Sequence, residues 1–229
     1  VSLGGRQEIP RPSVWRPGGP PPWSASSPAA RSAEEFVTRV REIYTGRIGA
    51  PAAVEADPLV RRSAVLSAWY VRDGEPHVLC TRRAWNLRTH RGEVSFPGGG
   101  EEPGDDDLRA TALREAWEEV HLDPVSVEVV GELDHLTTVS SDRSITPVVG
   151  LLAVPPDGLV AQESEVEEIL EVPLTSLLHP DAYREERWGP LEVDHPVVFF
   201  EIEGDTIWGA TAAMLRQFLT AVLGPADRR

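Results

Sequence analysis

Gly100-Glu-Glu-Pro-Gly-Asp-Asp-Asp-Leu-Arg-Ala-Thr-Ala-Leu-Arg-Glu-Ala-Trp-Glu-Glu-Val-His-Leu122 is the stretch on which the reading of this chain turns. Its pattern predicts a helix from Asp106 to Val120, with Asp105 to Asp107 at the N-terminus, where carboxylates accept free backbone N–H groups and offset the dipole. At about 100° per residue, Glu115, Glu118 and Glu119 fall within an arc of roughly 100°. Ala112, Leu113, Ala116, Trp117 and Val120 fall on the opposing arc and are expected to face the core. Carboxylates at i, i+3 and i+4 repel one another by a few tenths of a kcal/mol per pair. A hard divalent cation with oxygen ligands, Mg²⁺ or Mn²⁺, offsets that repulsion. An isolated Glu triplet reads as a solvated acidic face, part-neutralised here by Arg114. The Gly-rich segment Phe96–Gly104 that feeds this helix reverses that weighting, because it brings backbone N–H groups and metal together, as a diphosphate requires.

Outward from the helix, strands dominate. Ala64–Val71 and Pro76–Thr81 are apolar runs separated by Arg72-Asp73-Gly74-Glu75, a hairpin signal. Further strands are expected at Val127–Thr138, Thr146–Ala153 and Val197–Ile202. Phe36, Val37, Val40 and Ile43 recur at helical spacing between Ala33 and Tyr44, and a closing helix is expected over Thr211–Leu223. The class is therefore mixed α+β. Residues 1–32 hold seven prolines by position 28 with no periodicity, and read as an extended arm or a disordered segment. Trp15 and Trp23 in that arm have either the domain or a second subunit to anchor on, which leaves a homodimer open. The division is an arm at 1–32, a domain at 33–224 and a tail at 225–229.

The chain has 229 residues, a formal charge of −15 and one cysteine, Cys80, which excludes an intrachain disulfide. The acidity argues against non-specific nucleic-acid or anionic-membrane binding. With no apolar run of membrane-spanning length and no apolar leader, the expectation is a soluble cytoplasmic protein. All 22 basic residues are Arg. Four of them lie in the acid-free segment Arg82–Arg91, whereas Glu101–Glu119 has a net charge of −6. A basic island beside an acidic, metal-binding one suits a small molecule that carries a diphosphate and a separate phosphomonoester. For Arg82 or Arg83 alone, pairing with neighbouring acids is about as good a reading, and His90 alone reads as a hydrogen-bonded structural histidine.

The quoted stretch resembles the Nudix box: Gly, five residues, Glu, seven residues, then Arg-Glu-apolar-any-Glu-Glu-any-Gly-apolar. Gly100, Arg114, Glu115, Ala116, Glu118, Glu119 and Leu122 match in register, seven of nine defined positions. Asp106 replaces the first Glu, and His121 replaces a Gly that would tolerate a left-handed turn. Upstream, Thr81, Arg82, Arg83, Leu87, Arg88, His90, Gly92, Ser95, Phe96, Pro97, Gly98 and Gly99 resemble the second signature of coenzyme A diphosphatases of the Nudix superfamily, with Glu93 in place of Gln. Ile207-Trp208-Gly209-Ala210-Thr211 is similar to that subfamily's closing helix.

The resemblance implies a Nudix-type mixed β-sheet sandwiched between helices, and hydrolysis of coenzyme A or its thioesters to 3′,5′-ADP and 4′-phosphopantetheine or its acyl derivative. It implies Glu115, Glu118 and Glu119 as ligands of Mg²⁺ or Mn²⁺, with Arg114 structural within the site. Arg82, Arg83, Arg88, His90, Phe96, Gly99 and Gly100 are implied as substrate-binding. The general base is a box Glu, such as Glu119, or the loop residue Glu165 ahead of Val172-Pro173-Leu174. Trp208 is expected to pack the last helix against the sheet. Two alternatives stand beside this reading: a Nudix hydrolase of ADP-ribose or a dinucleotide, and a non-catalytic Nudix-fold ligand-binding protein.

Overall fold

The computed structural model describes residues 3–23, 27–52, 60–138, 143–191 and 194–224. The tail at 225–229 lies outside the described residues. In chain order the elements are β1 (Gly4–Gly5), β2 (Trp15–Pro17), α1 (Ala33–Tyr44), β3 (Arg61–Arg72), β4 (Glu75–Arg83), β5 (Val94–Ser95), β6 (Gly98–Gly100), α2 (Leu108–Val120), β7 (Val127–Glu132), β8 (Leu136–Thr138), β9 (Arg143–Leu152), β10 (Val166–Pro173), α3 (Leu174–Leu177), β11 (Tyr183–Trp188), β12 (His195–Trp208) and α4 (Gly209–Leu223). The expected hairpin forms at Asp73-Gly74, both at positive φ. The single strand expected over Val127–Thr138 is instead two, β7 and β8, separated by Leu133–His135.

The larger sheet is mixed, in the order β10-β4-β3-β9-β7, with β5 paired to β4, β6 to β3 and β8 to β9. β3 lies antiparallel to β4 and β6 and parallel to β9. Alternation along β3 explains the layers. Ala64, Leu66, Ala68 and Tyr70 point to one face and pack with Ala112, Ala116 and Val120 of α2. Trp69 points to the other, where Phe218 of α4 stacks on it, Phe36 of α1 lies tilted against it, and Tyr44 of α1 stacks on Phe218. The sheet is thus sandwiched between α2 on one face and α1 with α4 on the other. Among the described residues, no helix is long and apolar enough to cross a membrane.

The Pro-rich arm is extended and paired rather than loose. β1 runs parallel to β12 and β2 antiparallel to β11, giving a second sheet in the order β1-β12-β11-β2. Trp23 is buried, stacked on Phe200 and edge-on to Tyr183, so it anchors the arm on its own domain. Arg11 reaches the buried Glu186, and Gln7 donates to Asp205 at 2.7 Å. The arm needs no hydrophobic periodicity because its backbone hydrogen bonds go to existing strand edges.

Candidate active site

α2 starts where Asp107 accepts from the N–H groups of Arg109 and Ala110 at 2.9 and 2.8 Å, satisfying the first free donors of the helix. It ends at His121, which adopts the left-handed conformation (φ 56°) that glycine usually supplies. The His121 ring lies against Trp117, and its Nδ1 is 3.1 Å from the Val160 carbonyl oxygen. Trp117, which the helical spacing places on the core arc, is 47% exposed. The sheet side of the helix is filled by Ala112, Ala116 and Val120, which leave no room for an indole.

On the remaining face stand Glu115, Glu118 and Glu119, held in depth order. Glu118 is exposed, Glu115 part-buried, and Glu119 only 4% exposed with its Oε2 lacking a hydrogen-bond partner. Burial pushes the Glu119 carboxyl up to about 8; Arg83 opposes the shift, and Glu115 and Glu165 add to it. Glu115 is raised by burial too, with Arg114 opposing and Glu118 and Glu165 contributing. The structure therefore brings Glu165 close enough to act on both. Two backbone bonds make that possible: Gln162 N–H donates to the Glu119 carbonyl at 2.8 Å, and Ala84 N–H to the Glu165 carbonyl at 2.8 Å.

Arg114 ties the site together. It donates to Asp105 with two nitrogens at 2.9 and 3.2 Å, to Glu118 at 3.0 Å, to Glu115 at 3.1 Å and to the Gly100 carbonyl at 2.9 Å. Spacing assigned the acidic box position before the helix to Asp106, which is exposed, while the geometry gives the Arg114 partnership to Asp105. Asp105 is the residue that motif reading missed, since three consecutive aspartates differ only in the loop turn that aims them. The Arg114 guanidinium, with burial opposing, holds Asp105 well below the usual carboxylate range.

Gly99 admits Glu115. A Cβ there would stand 2.4 Å from Glu115 Oε1. The donor set is oxygen-only, and the unpartnered Oε2 of Glu119 is a free ligand atom, which fits a hard divalent cation. Among the described residues, no three His, Cys, Asp or Glu side chains already converge on one point, because Arg114 shares Glu115 and Glu118.

The expected substrate contacts divide. Arg83 lies next to Glu119, and its Nε is buried with no hydrogen-bond partner. Arg82 is committed elsewhere, to buried Asp205 at 2.8 and 2.6 Å and to Glu168 at 2.6 Å. Phe96 belongs to the core on the α1–α4 side, so its ring is withdrawn from solvent. Arg88 and His90 are exposed; His90 sits at φ 54° and pairs with Glu93 at 3.0 Å, the residue that departs from the signature. Gly99 and Gly100 form the strand that pairs Ala64 and Ser63. Trp208 packs against Trp188, with centroids 6.4 Å apart.

A family model described as NUDIX domain matches residues 60–191. Proteins called "Uncharacterized Nudix hydrolase NudL" are similar: that of Shigella flexneri is 38% identical over 170 residues, covering 72% of this chain and 84% of its own, and that of Citrobacter koseri 39% over the same length and shares. Among solved structures, a MutT/nudix family protein from Enterococcus faecalis aligns at TM-score 0.49 and 12% identity, covering 86% of this chain and 72% of that one. A C. elegans Ap4A hydrolase aligns at 0.43 and 19%, covering 53% and 87%. With the box carboxylates gathered on α2 and the family model spanning more than half of its length, the chain belongs to the Nudix hydrolase family.

Proposed function

We propose that the chain hydrolyses the diphosphate of coenzyme A or its thioesters, giving 3′,5′-ADP and 4′-phosphopantetheine or its acyl derivative. The observation that carries this reading is the meeting of the Arg83 strand end, part of the coenzyme A-type signature, with the carboxylates of α2, bridged by the Glu165 loop through the Ala84–Glu165 and Gln162–Glu119 bonds. Glu115, Glu118 and Glu119 would hold Mg²⁺ or Mn²⁺. Such a cation, when bound, neutralises the diphosphate and lowers the pKa of water. Arg114 fixes Glu115 and Glu118 by charge-assisted hydrogen bonds. Arg83 offers its free Nε to a diphosphate oxygen. Glu165, exposed at the rim, takes the proton of the attacking water while the P–O anhydride bond breaks and the second phosphate leaves with its electron pair.

A second reading, hydrolysis of ADP-ribose or a dinucleotide, is favoured by one observation. Arg82 is neutralised by Asp205 and Glu168, which leaves the Arg82–Arg91 segment less able to hold a phosphomonoester. Coenzyme A, dephospho-coenzyme A, ADP-ribose and a diadenosine polyphosphate, each assayed with Mg²⁺ and with Mn²⁺ and with products identified, separate the two. Preference for coenzyme A over its dephospho form supports the first reading, and preference for ADP-ribose replaces it.

A further inference from the structure

Two arginines far apart in the sequence stand side by side in the sheet. Arg61 on β3 is in parallel register with Arg143 on β9, at the end of the sheet where Ser63 pairs with Gly100. Alternation directs Arg61, Ser63, Arg143 and Ile145 to one face. On that face, Nη1 of Arg143 lies 3.7 Å from where a Cβ on Gly100 would stand. One residue earlier, the Gly99 position faces Glu115 on the opposite side. The glycine strand β6 thus has a carboxylate cluster against one face and a guanidinium against the other. Among the described residues β6 pairs with no strand but β3, its Gly100 carbonyl accepts from Arg114, and it carries no side chain for a ligand to pass.

Neighbouring cations are accounted for. Arg62 pairs with Glu101 at 3.1 Å, and Arg82 with Asp205 and Glu168. Among the described residues, neither Arg61 nor Arg143 makes an ion pair. Like charges at directly paired register positions repel each other, and a dianionic phosphate bound between them relieves this with donors to spare.

We propose that Arg61 and Arg143 form the subsite for the substrate's phosphomonoester, a terminal phosphate separate from the diphosphate that lies on the Glu115 side of β6. This deepens the coenzyme A reading above and rests on it. It also moves the phosphomonoester site from the Arg82–Arg91 segment to the start of β3 and β9.

The full chain, Arg61→Gln, Arg143→Gln and the double variant are assayed with coenzyme A and dephospho-coenzyme A. The KM for coenzyme A rises about 10-fold in each single variant, as for loss of a charged hydrogen bond, while kcat and both constants for dephospho-coenzyme A hold. Equal losses on both substrates, or no loss on either, overturn the subsite. Titrating 3′,5′-ADP and 5′-AMP onto the full chain and the double variant reads the subsite apart from turnover. Selective weakening of 3′,5′-ADP supports it; unchanged affinity, equal weakening of both nucleotides, or no binding of 3′,5′-ADP to the full chain overturns it. If selective weakening persists but no coenzyme A is hydrolysed, the reaction assigned above fails and the subsite stands.

Discussion

Glu119 and Asp105 face opposite electrostatic demands within one site. Glu119 is nearly out of solvent with one oxygen unpartnered, and its pKa rises to about 8. A metal ligand must be ionised, so Mn²⁺ affinity in the full chain should increase as pH rises from about 6 to 8 and level off above. Glu119→Gln should flatten that pH dependence, leaving what the burial-raised Glu115 contributes, and weaken Mn²⁺ by at least about tenfold, read by calorimetry. Asp105 is the reverse case, ionised and clasped by Arg114. Its depressed pKa contributes stability above its unfolded value of roughly 4, and that contribution is lost as pH falls through the folded value. Asp105→Asn should cost about 2 kcal/mol at pH 7 and flatten the acid side of the stability profile, measured by urea unfolding across pH. The carboxylate face was legible because i, i+3 and i+4 spacing is local. The choice between Asp105 and Asp106 was not, because it depends on how the Glu102–Asp105 turn aims the side chain.

The glycine strand and the helix beside it work as a pair. A methyl group at Gly99 would meet the Glu115 carboxylate, and this flexible side chain moves more readily than the sheet does. Gly99→Ala should therefore lower kcat at least about tenfold while leaving the melting temperature within a few degrees. At the other end of α2, the left-handed turn survives without glycine. Histidine tolerates φ 56° and gains contacts with Trp117 and Val160. A β-branched residue has no such tolerance, so His121→Val should destabilise by about 1–2 kcal/mol in denaturant unfolding. Helical periodicity located α2 to within two residues at its start and the Ala112, Ala116 and Val120 part of its buried face, but it put Trp117 inside and the buried Glu119 on the opposite arc. The reason is spatial: small residues let the helix lie close to the sheet, and a large ring at the border of the apolar arc is then forced outward. Arg82 was read with the substrate because its partner, Asp205, lies on β12, and only the fold brings that buried carboxylate beneath it.

Across the whole molecule, two sheets share the load. The second sheet is completed by the Pro-rich arm, whose pairing no periodicity announced, because short strands on existing edges need backbone donors rather than an apolar face. Trp23 is its main anchor, and Trp23→Ala should cost about 3 kcal/mol, with unfolding still cooperative. Adjacency of Arg61 and Arg143 was hidden for the same reason, since parallel pairing of distant strands has no local signature. The charge of −15 acquires a location at this scale: part of it is the α2 carboxylates, with Arg114 on the same helix and Arg61, Arg83 and Arg143 on the separate elements β3, β4 and β9. In the proposed reaction these carboxylates hold the cation on which hydrolysis of coenzyme A depends. Its most direct test is the release of 3′,5′-ADP from coenzyme A with saturating Mn²⁺, by the full chain and by Glu119→Gln of equal melting temperature. The expected result is 3′,5′-ADP as product and a loss of about 100-fold in kcat in the variant, whereas near-normal turnover by Glu119→Gln, or a product other than 3′,5′-ADP, would contradict the proposed reaction.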